Sequence, residues 1–336
     1  VTAANALLRI DPAATAARIE AVIRETVFHR FRRKGAVVAI SGGVDSSVVA
    51  ALCQRALGPG RVLGLLLPER ESSPESGLLA RRLAGSLGIR SEVEDITAIL
   101  EAAGCYRRRD AAIRAVIPAY AEGFRCKVVL PEVGARPAYA VSSVVVQSPG
   151  GEQLRARLTY ETFLQIVAAT SFKQRVRKML EYYYADRHQF VVAGTPNRLE
   201  YDQGFFVKNG DGAADLKPIA HLYKTQVYQL AEYLEIPEEI RRRPPTTDTY
   251  PLEQSQEEFY FTVPLEQMDL CLYGKDHNIA AADLARTAGL DPREVEQVYG
   301  LIEAKRRMAR YLHAAPALVP EEPDSPRLAA ESLTLR

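Results

Sequence analysis

Ala36-Val37-Val38-Ala39-Ile40-Ser41-Gly42-Gly43-Val44-Asp45-Ser46-Ser47 is the stretch on which the fold turns. The apolar run from Ala36 to Ile40 predicts a buried strand, and the spacing from Ser46 to Leu57 predicts a helix. Between them, two successive glycines allow a tight turn and a close approach of backbone to a ligand. The first amides of the helix point unpaired into that turn and favour an anion. Asp45 is the odd residue, because a carboxylate beside phosphates repels them. A divalent cation between the two resolves this, since Mg²⁺ is commonly held by one or two carboxylates plus substrate phosphates. The bland alternative is a glycine turn ahead of a buried helix.

Working outward, strand and helix alternate. Asp11 followed by Pro12 predicts a helix start, running to Lys34 before Gly35 stops it. Arg61 to Leu67 reads as a buried strand after the Gly58-Pro59-Gly60 break, and Ser73-Pro74-Glu75 opens a helix ending near Gly88. Ile89 to Val93 is a short strand, and Ile96 to Ile117 is mostly helical. This pattern predicts an α/β fold, a Rossmann-like parallel sheet flanked by helices. Ligands of such sheets sit at the carboxyl ends of the strands, where the Ser41 loop and Pro68 to Ser73 both fall. From Cys126 to Thr159 the chain turns β-rich around Pro149-Gly150-Gly151, which predicts an inserted hairpin or small antiparallel sheet. Helix is expected from Tyr160 to His188, strand from Phe190 to Ala193, and irregular chain from Gly194 to Asp215. Further helices are expected over Tyr223 to Leu234, from Leu265, and from Asp291-Pro292, with Arg243 to Glu258 irregular. Residues 1–314 read as one domain and the Pro- and Glu-rich residues 315–336 as a flexible tail.

Composition narrows the class. The 336 residues can bury a substantial core, and 43 Lys+Arg against 42 Asp+Glu leave no global charge to recruit nucleic acid or an anionic membrane. Arg32-Arg33-Lys34 and Arg107-Arg108-Arg109 read as solvated helix ends. No apolar run approaches ~18 residues, so no membrane span is expected. No signal-peptide pattern is visible, and Cys53, Cys105, Cys126 and Cys271 are scattered without a C-x-x-C. A disulfide framework or a zinc site is therefore not expected, and a reducing cytoplasm fits.

The loop is not the common ATP loop, for no lysine follows the glycines. Its S-G-G-x-D-S pattern resembles the signature of the ATP pyrophosphatases, the adenine nucleotide alpha hydrolase-like group, in which such a loop holds the pyrophosphate end of ATP and AMP is formed. A second resemblance is more specific. Gly194 to Thr246 is similar to the ammonia-dependent NAD⁺ synthetase family: Thr195 and Glu200 in a G-T-x-x-x-x-E loop, Gly204 to Asp215 in G-F-F-x-K-x-G-D-G-x-x-D, Lys224 and Gln226, then Pro245-Thr246-Thr247-Asp248. With Ser41 to Ser47, five blocks occur in order.

The resemblance implies roles. Ala39, Ile40, Ser41, Gly42, Gly43, Val44, Asp45, Ser46, Ser47, Thr195, Lys224 and Thr246 would bind ATP, with Asp45 and Lys224 catalytic. Asp45 and Glu200 would hold Mg²⁺, whose hardness suits carboxylate oxygens. Arg175, Lys208, Asp211, Asp215 and Lys305 would meet deamido-NAD⁺, although Asp211 and Asp215 could equally cap turns. The implied reaction joins the acceptor carboxylate to the α-phosphorus of ATP, releases pyrophosphate, and lets ammonia displace AMP. No glutaminase domain is recognised, so ammonia is expected free or from a separate glutaminase partner, and a cytoplasmic homodimer is implied.

Three features depart from the family pattern. The family's His-Lys-Arg becomes Ala304-Lys305-Arg306, its Q-x-D-E-x-E-L-G block becomes Gln254 to Phe261, and the β-rich insertion is absent from compact members. The insertion could be a lid, an extra acceptor wall or a surface decoration. Besides NAD⁺ synthetase, these departures leave open a diverged amide ligase acting on another carboxylic acid. A sulfur-inserting or RNA-modifying ATP pyrophosphatase is disfavoured by the absence of paired cysteines and of a basic, aromatic RNA-binding module. A non-catalytic nucleotide sensor is disfavoured by the intact Asp45, Glu200 and Lys224.

Overall fold

The computed structural model describes residues 6–129, 142–245, 250–254 and 263–319. Its helices, in chain order, are α1 (Pro12–Arg24), α2 (Val44–Leu57), α3 (Pro74–Ser86), α4 (Thr97–Ala102), α5 (Cys105–Val116), α6 (Tyr160–His188), α7 (Arg198–Gln203), α8 (Lys224–Tyr233), α9 (Glu238–Arg242), α10 (Leu265–Asp276), α11 (Ala281–Ala288) and α12 (Pro292–His313). Its strands are β1 (Ala36–Ala39), β2 (Val62–Leu66), β3 (Arg90–Val93), β4 (Arg125–Val129), β5 (Ser143–Gln147), β6 (Gln153–Arg157) and β7 (Val191–Ala193).

Four strands form a parallel sheet in the order β3-β2-β1-β7. Both faces of β1 and β2 are covered, which is why they read as continuous apolar runs rather than alternating ones. Ala36, Val38, Val62 and Leu66 pack towards α1, α2, α3 and α8, while Val37, Leu63 and Leu65 pack towards α4, α5 and α6. The chain leaves β1 for β2 on one side and later returns to β7 on the other. The crevice between the carboxyl ends of β1 and β7 is therefore the topological switch point, where open α/β sheets place ligands.

Three boundaries differ from expectation, each for a local reason. The first helix is regular only to Arg24; a wider turn, Glu25–Arg30, and Arg32 at φ 51° end it, and Lys34 N–H turns away to donate to Gln189 O at 2.8 Å. The segment from Ile96 to Ile117 breaks at Gly104, which takes φ 72° between α4 and α5. The glycine-rich stretch after β7 contains α7, built on the capping box Asn197-x-x-Glu200. Within Arg107-Arg108-Arg109, the first two are exposed but Arg109 is only 2% exposed, so this run is not a solvated helix end.

The β-rich insertion is a three-stranded antiparallel sheet, β4-β5-β6, although residues 130–141 lie outside the described region. Cys126, Val128, Val144 and Val146 share a core with Ala112 and Ile113 of α5, Ile166 of α6, and Tyr250. The C-terminal helices α10, α11 and α12 bury a separate apolar cluster around Met268, Leu272, Leu284 and Ile302. Residues 315–319 are exposed and carry no helix or strand, and the rest of the expected tail lies outside the described residues. All four cysteines are buried and free of disulfides. Among the described residues, no helix is long and apolar enough to cross a membrane.

Candidate active site

The loop after β1 is held by its own serines. Ser46 Oγ donates to Gly43 O at 3.0 Å and accepts from Ser41 N at 3.2 Å, while Ser47 Oγ donates to Gly43 O at 2.8 Å. Gly42 takes φ 79°, and a Cβ there would lie 2.5 Å from the carbonyl oxygen of Ser76 in α3. Backbone conformation and space thus both demand glycine. Gly42→Ala is expected to lower stability by roughly 1–3 kcal/mol and to weaken nucleotide binding, because α3 or the loop must shift. Thermal unfolding and a titration with Mg-ATP check this; wild-type values in both would remove the steric claim.

The loop opens on a cavity of about 810 Å³ at the carboxyl edge of the sheet. Ala39, Ile40, Ser41, Gly43, Val44, Asp45 and Ser46 lie on its wall, joined by Thr195, Glu200 and Lys224. Gly42 and Ser47 stand behind the wall and hold the turn. α7 and α8 bring the two charged blocks to Asp45. Lys224, the first residue of α8 and 2% exposed, is ion-paired with Asp45. Asn197 Nδ2 donates to the other oxygen of Asp45 at 3.1 Å, and Asn197 Oδ1 accepts from Glu200 N at 3.1 Å. Burial opposes the Lys224 ammonium, yet the Asp45 and Glu200 carboxylates hold its pKa above the ordinary lysine value. Sequence reasoning missed Asn197, although Asn-x-x-Glu after a strand signals a helix start.

Among the described residues there is no group of three or more side chains able to cage a metal. Asp45 and Glu200 instead supply two hard carboxylates linked through Asn197 at the cavity wall. That donor set suits an ion that arrives with phosphates.

The other predicted residues divide. Lys305 of α12 and Asp211 line the cavity together with Phe205, Phe206 and Val207. Burial pushes the Lys305 amine down to about 7 and pushes the Asp211 carboxyl up. Asp211 Oδ1 also accepts from Val207 N at 2.7 Å, closing the loop. Lys208, Asp215 and Arg175 lie off the cavity wall. Lys208 Nζ donates to the carbonyls of Tyr311 at 2.7 Å and Ala314 at 3.2 Å. Asp215 accepts from Val192 N at 2.8 Å, which fastens its loop to β7. Arg175 is exposed on α6 and donates to Lys208 O at 3.3 Å. Thr246 lies outside the described residues.

Two further features were not read from the sequence. The first is an ion network under the Pro68–Ser73 loop. Lys173, 1% exposed, donates to Glu69 at 2.8 Å and Glu71 at 2.7 Å; Arg109 forks onto Glu71, and Tyr106 OH donates to Glu69 at 2.6 Å. Glu69 and Lys173 also face the cavity. The second is the role of the insertion. Leu252 N donates to Cys126 O at 3.1 Å and Gln254 Nε2 to Val128 O at 2.9 Å, so β4 braces the chain that follows the P-T-x-D block. Val128 and Tyr250 reach the cavity wall, which makes the insertion part of that wall. Of the altered Gln254 to Phe261 block, only Gln254 lies within the described residues.

A family model described as NAD synthase matches residues 15–115 and 151–310. The chain belongs to the NAD synthase family. The break in the match covers β4 and β5 of the insertion but not β6. The NH₃-dependent NAD⁺ synthetase of Mesorhizobium japonicum is 56% identical over 312 residues, 93% of this chain and 98% of that protein. The NH₃-dependent NAD⁺ synthetase of Thermotoga maritima is 35% identical over 289 residues, 86% of this chain and 94% of that one. Among solved structures, the NH₃-dependent NAD synthetase of Campylobacter jejuni superposes with a TM-score of 0.61 at 22% identity, covering 93% of this chain and 100% of that one. An NMN synthetase from Francisella tularensis gives 0.59 at 20% identity, over 94% and 100%. The two structural likenesses speak for the fold alone.

Proposed function

We propose that this chain is an ammonia-dependent NAD⁺ synthetase: it adenylates the carboxylate of deamido-NAD⁺ with ATP and amidates it with ammonia. The observation that carries this reading is the meeting of Asp45, Asn197, Glu200 and Lys224 at the switch point, from three separate family blocks. The high identity to named synthetases along nearly their whole length supports it.

In this reading Lys224 exchanges Asp45 for a phosphate of ATP when the nucleotide enters. Mg²⁺ at Asp45 and Glu200 would offset the phosphate charge and the charge on departing pyrophosphate. The first amides of α2 face the same phosphates. The acceptor carboxylate attacks the α-phosphorus, pyrophosphate leaves, ammonia adds to the activated carbonyl, and AMP is expelled. This chemistry asks for positioning and charge neutralisation, not a protein nucleophile. In this reading Lys305, a cavity-lining residue whose amine burial pushes down to about 7, meets the acceptor.

A homodimer completes the reading. Tyr160, Leu164, Met179 and Tyr183 are exposed apolar residues of α6, and the exposed Arg175 lies on the same broad face. Pairing through α6 buries that face and brings Arg175 to the acceptor of a second copy. The buried, unpaired cysteines agree with a cytoplasmic setting, and ammonia comes free or from a separate glutaminase.

The test supplies purified protein with Mg-ATP, ammonia and deamido-NAD⁺, and follows AMP, pyrophosphate and NAD⁺; light scattering on the same sample gives the mass. The expected result is stoichiometric AMP and NAD⁺ from a dimer. AMP release only with nicotinate mononucleotide or another carboxylic acid would transfer the activity to that acceptor. No AMP with any acceptor would end the ligase reading.

A further inference from the structure

The helix that carries Lys224 begins with the wrong charge. Unpaired amides give a helix N-terminus partial positive character, and a lysine there adds to it. α8 has no acidic residue in its own first turn. Tyr223, at its N-cap, cannot help, because its hydroxyl donates to Asp276 at 3.1 Å at the far end of the ring. Gln226 reaches back only as far as Tyr223 N, at 3.1 Å.

The missing negative charge comes from another helix. Asp269 of α10 is 0% exposed, and its Oδ2 accepts from Thr225 N, the second residue of α8, at 2.8 Å. Its neighbours Met268, Leu270, Cys271 and Leu272 are all core residues of the C-terminal cluster. A buried carboxylate is costly unless it is hydrogen-bonded: burial pushes that of Asp269 up to about 6, and Oδ1 has no partner among the described residues, so Oδ2 carries the bond. Its hydrogen bond is directed out of that cluster, onto the turn that presents Lys224.

We infer that Asp269 is a positioning residue for Lys224: its carboxylate caps α8 from outside and aims the Lys224 ammonium at Asp45 and the phosphates. It touches no reacting atom; it acts through the backbone of the first turn. The C-terminal helices thereby become part of the nucleotide site, with α10 as the link. This rests on the reading that Lys224 meets ATP.

The experiment compares Mg-ATP affinity by calorimetry for wild type, Asp269→Asn, Lys224→Met and the double variant, with the KM for deamido-NAD⁺ alongside. Asparagine keeps the shape and loses the charge. Asp269→Asn is expected to weaken Mg-ATP binding about tenfold, from loss of a charge-assisted bond at a helix terminus. The KM for deamido-NAD⁺ should stay within about twofold. In the Lys224→Met background the same change should cost less than about twofold, since the group it positions is gone. A tenfold loss in both backgrounds, or none in the first, overturns the inference. Should Asp269→Asn not fold, Asp269→Ser, which still accepts a hydrogen bond, is read in the same way. Absence of ATP binding by the wild type would overturn the reading of the site and this inference with it. Binding that Asp269→Asn leaves unchanged overturns this inference alone.

Discussion

Asp45→Asn is expected to cut acceptor-dependent AMP formation by on the order of a thousandfold, while the protein stays folded. Two effects add at the site. The substitution removes one of the two carboxylates placed to hold Mg²⁺, and it leaves the Lys224 ammonium without its ion-pair partner before ATP arrives. Stability should suffer less than activity. Asp45 faces the cavity and its side chain is 16% exposed, Glu200 remains nearby, and an asparagine oxygen can still accept from Asn197. A loss of about 1–2 kcal/mol is the expected scale, below the cost of breaking a fully buried pair. Single-turnover AMP formation and urea unfolding are the measurements. AMP formation within about threefold of wild type would remove Asp45 from the chemistry.

Much of the fold was legible because its signals are local. The run Ala36 to Ile40, the glycine turn and the helix after it specify strand, loop and helix without reference to anything distant. So do the Pro74, Tyr160 and Pro292 helix starts, two of which the structure supports with side-chain caps from Thr159 and Asp291. The site was legible as a set of blocks but not as a geometry. Asp45 and Lys224 are far apart in sequence, and no periodicity predicts their pairing. Only their family blocks suggested a common task. Lys208 and Asp215 sit within a matching block, and nothing in the sequence tells that one also holds the end of α12 and the other a loop to β7.

The insertion illustrates a third case. Its strands were readable from alternation and turn residues, but its purpose depends on what pairs with its edge. Residues 250–254 lie along β4 and carry Tyr250 into the cavity wall, so the insertion braces that wall.

The largest stability effect is expected at Lys173→Met. In sequence Pro68 to Ser73 falls at the ligand end of the sheet, and Arg109 reads as a solvated helix-end arginine. Lys173, Glu69, Glu71 and Arg109 are buried against one another and against Tyr106. Lys173 and Glu69 have side chains 1% exposed, Glu71 has 11%, and Lys173 bridges the two acids. Removing one partner leaves buried charge uncompensated, which typically costs about 3–5 kcal/mol. Burial would raise the Glu71 pKa, but Arg109 and Lys173 hold it down, from 4.5 to about 2. A depressed carboxylate contributes stability that is full above its unfolded value and is lost as pH falls through the folded one. The wild type should therefore lose this contribution between about pH 5 and pH 2. In Lys173→Met, Glu71 keeps Arg109 and the more distant Arg70, its folded pKa rises, and the deficit should be largest at neutral pH and shrink towards pH 3. Urea unfolding at pH 7 and pH 4 decides it. A difference from wild type below about 1 kcal/mol at pH 7 would mean the network is not a structural anchor. A deficit independent of pH would mean that lost packing of the lysine stem, not its charge, sets the effect.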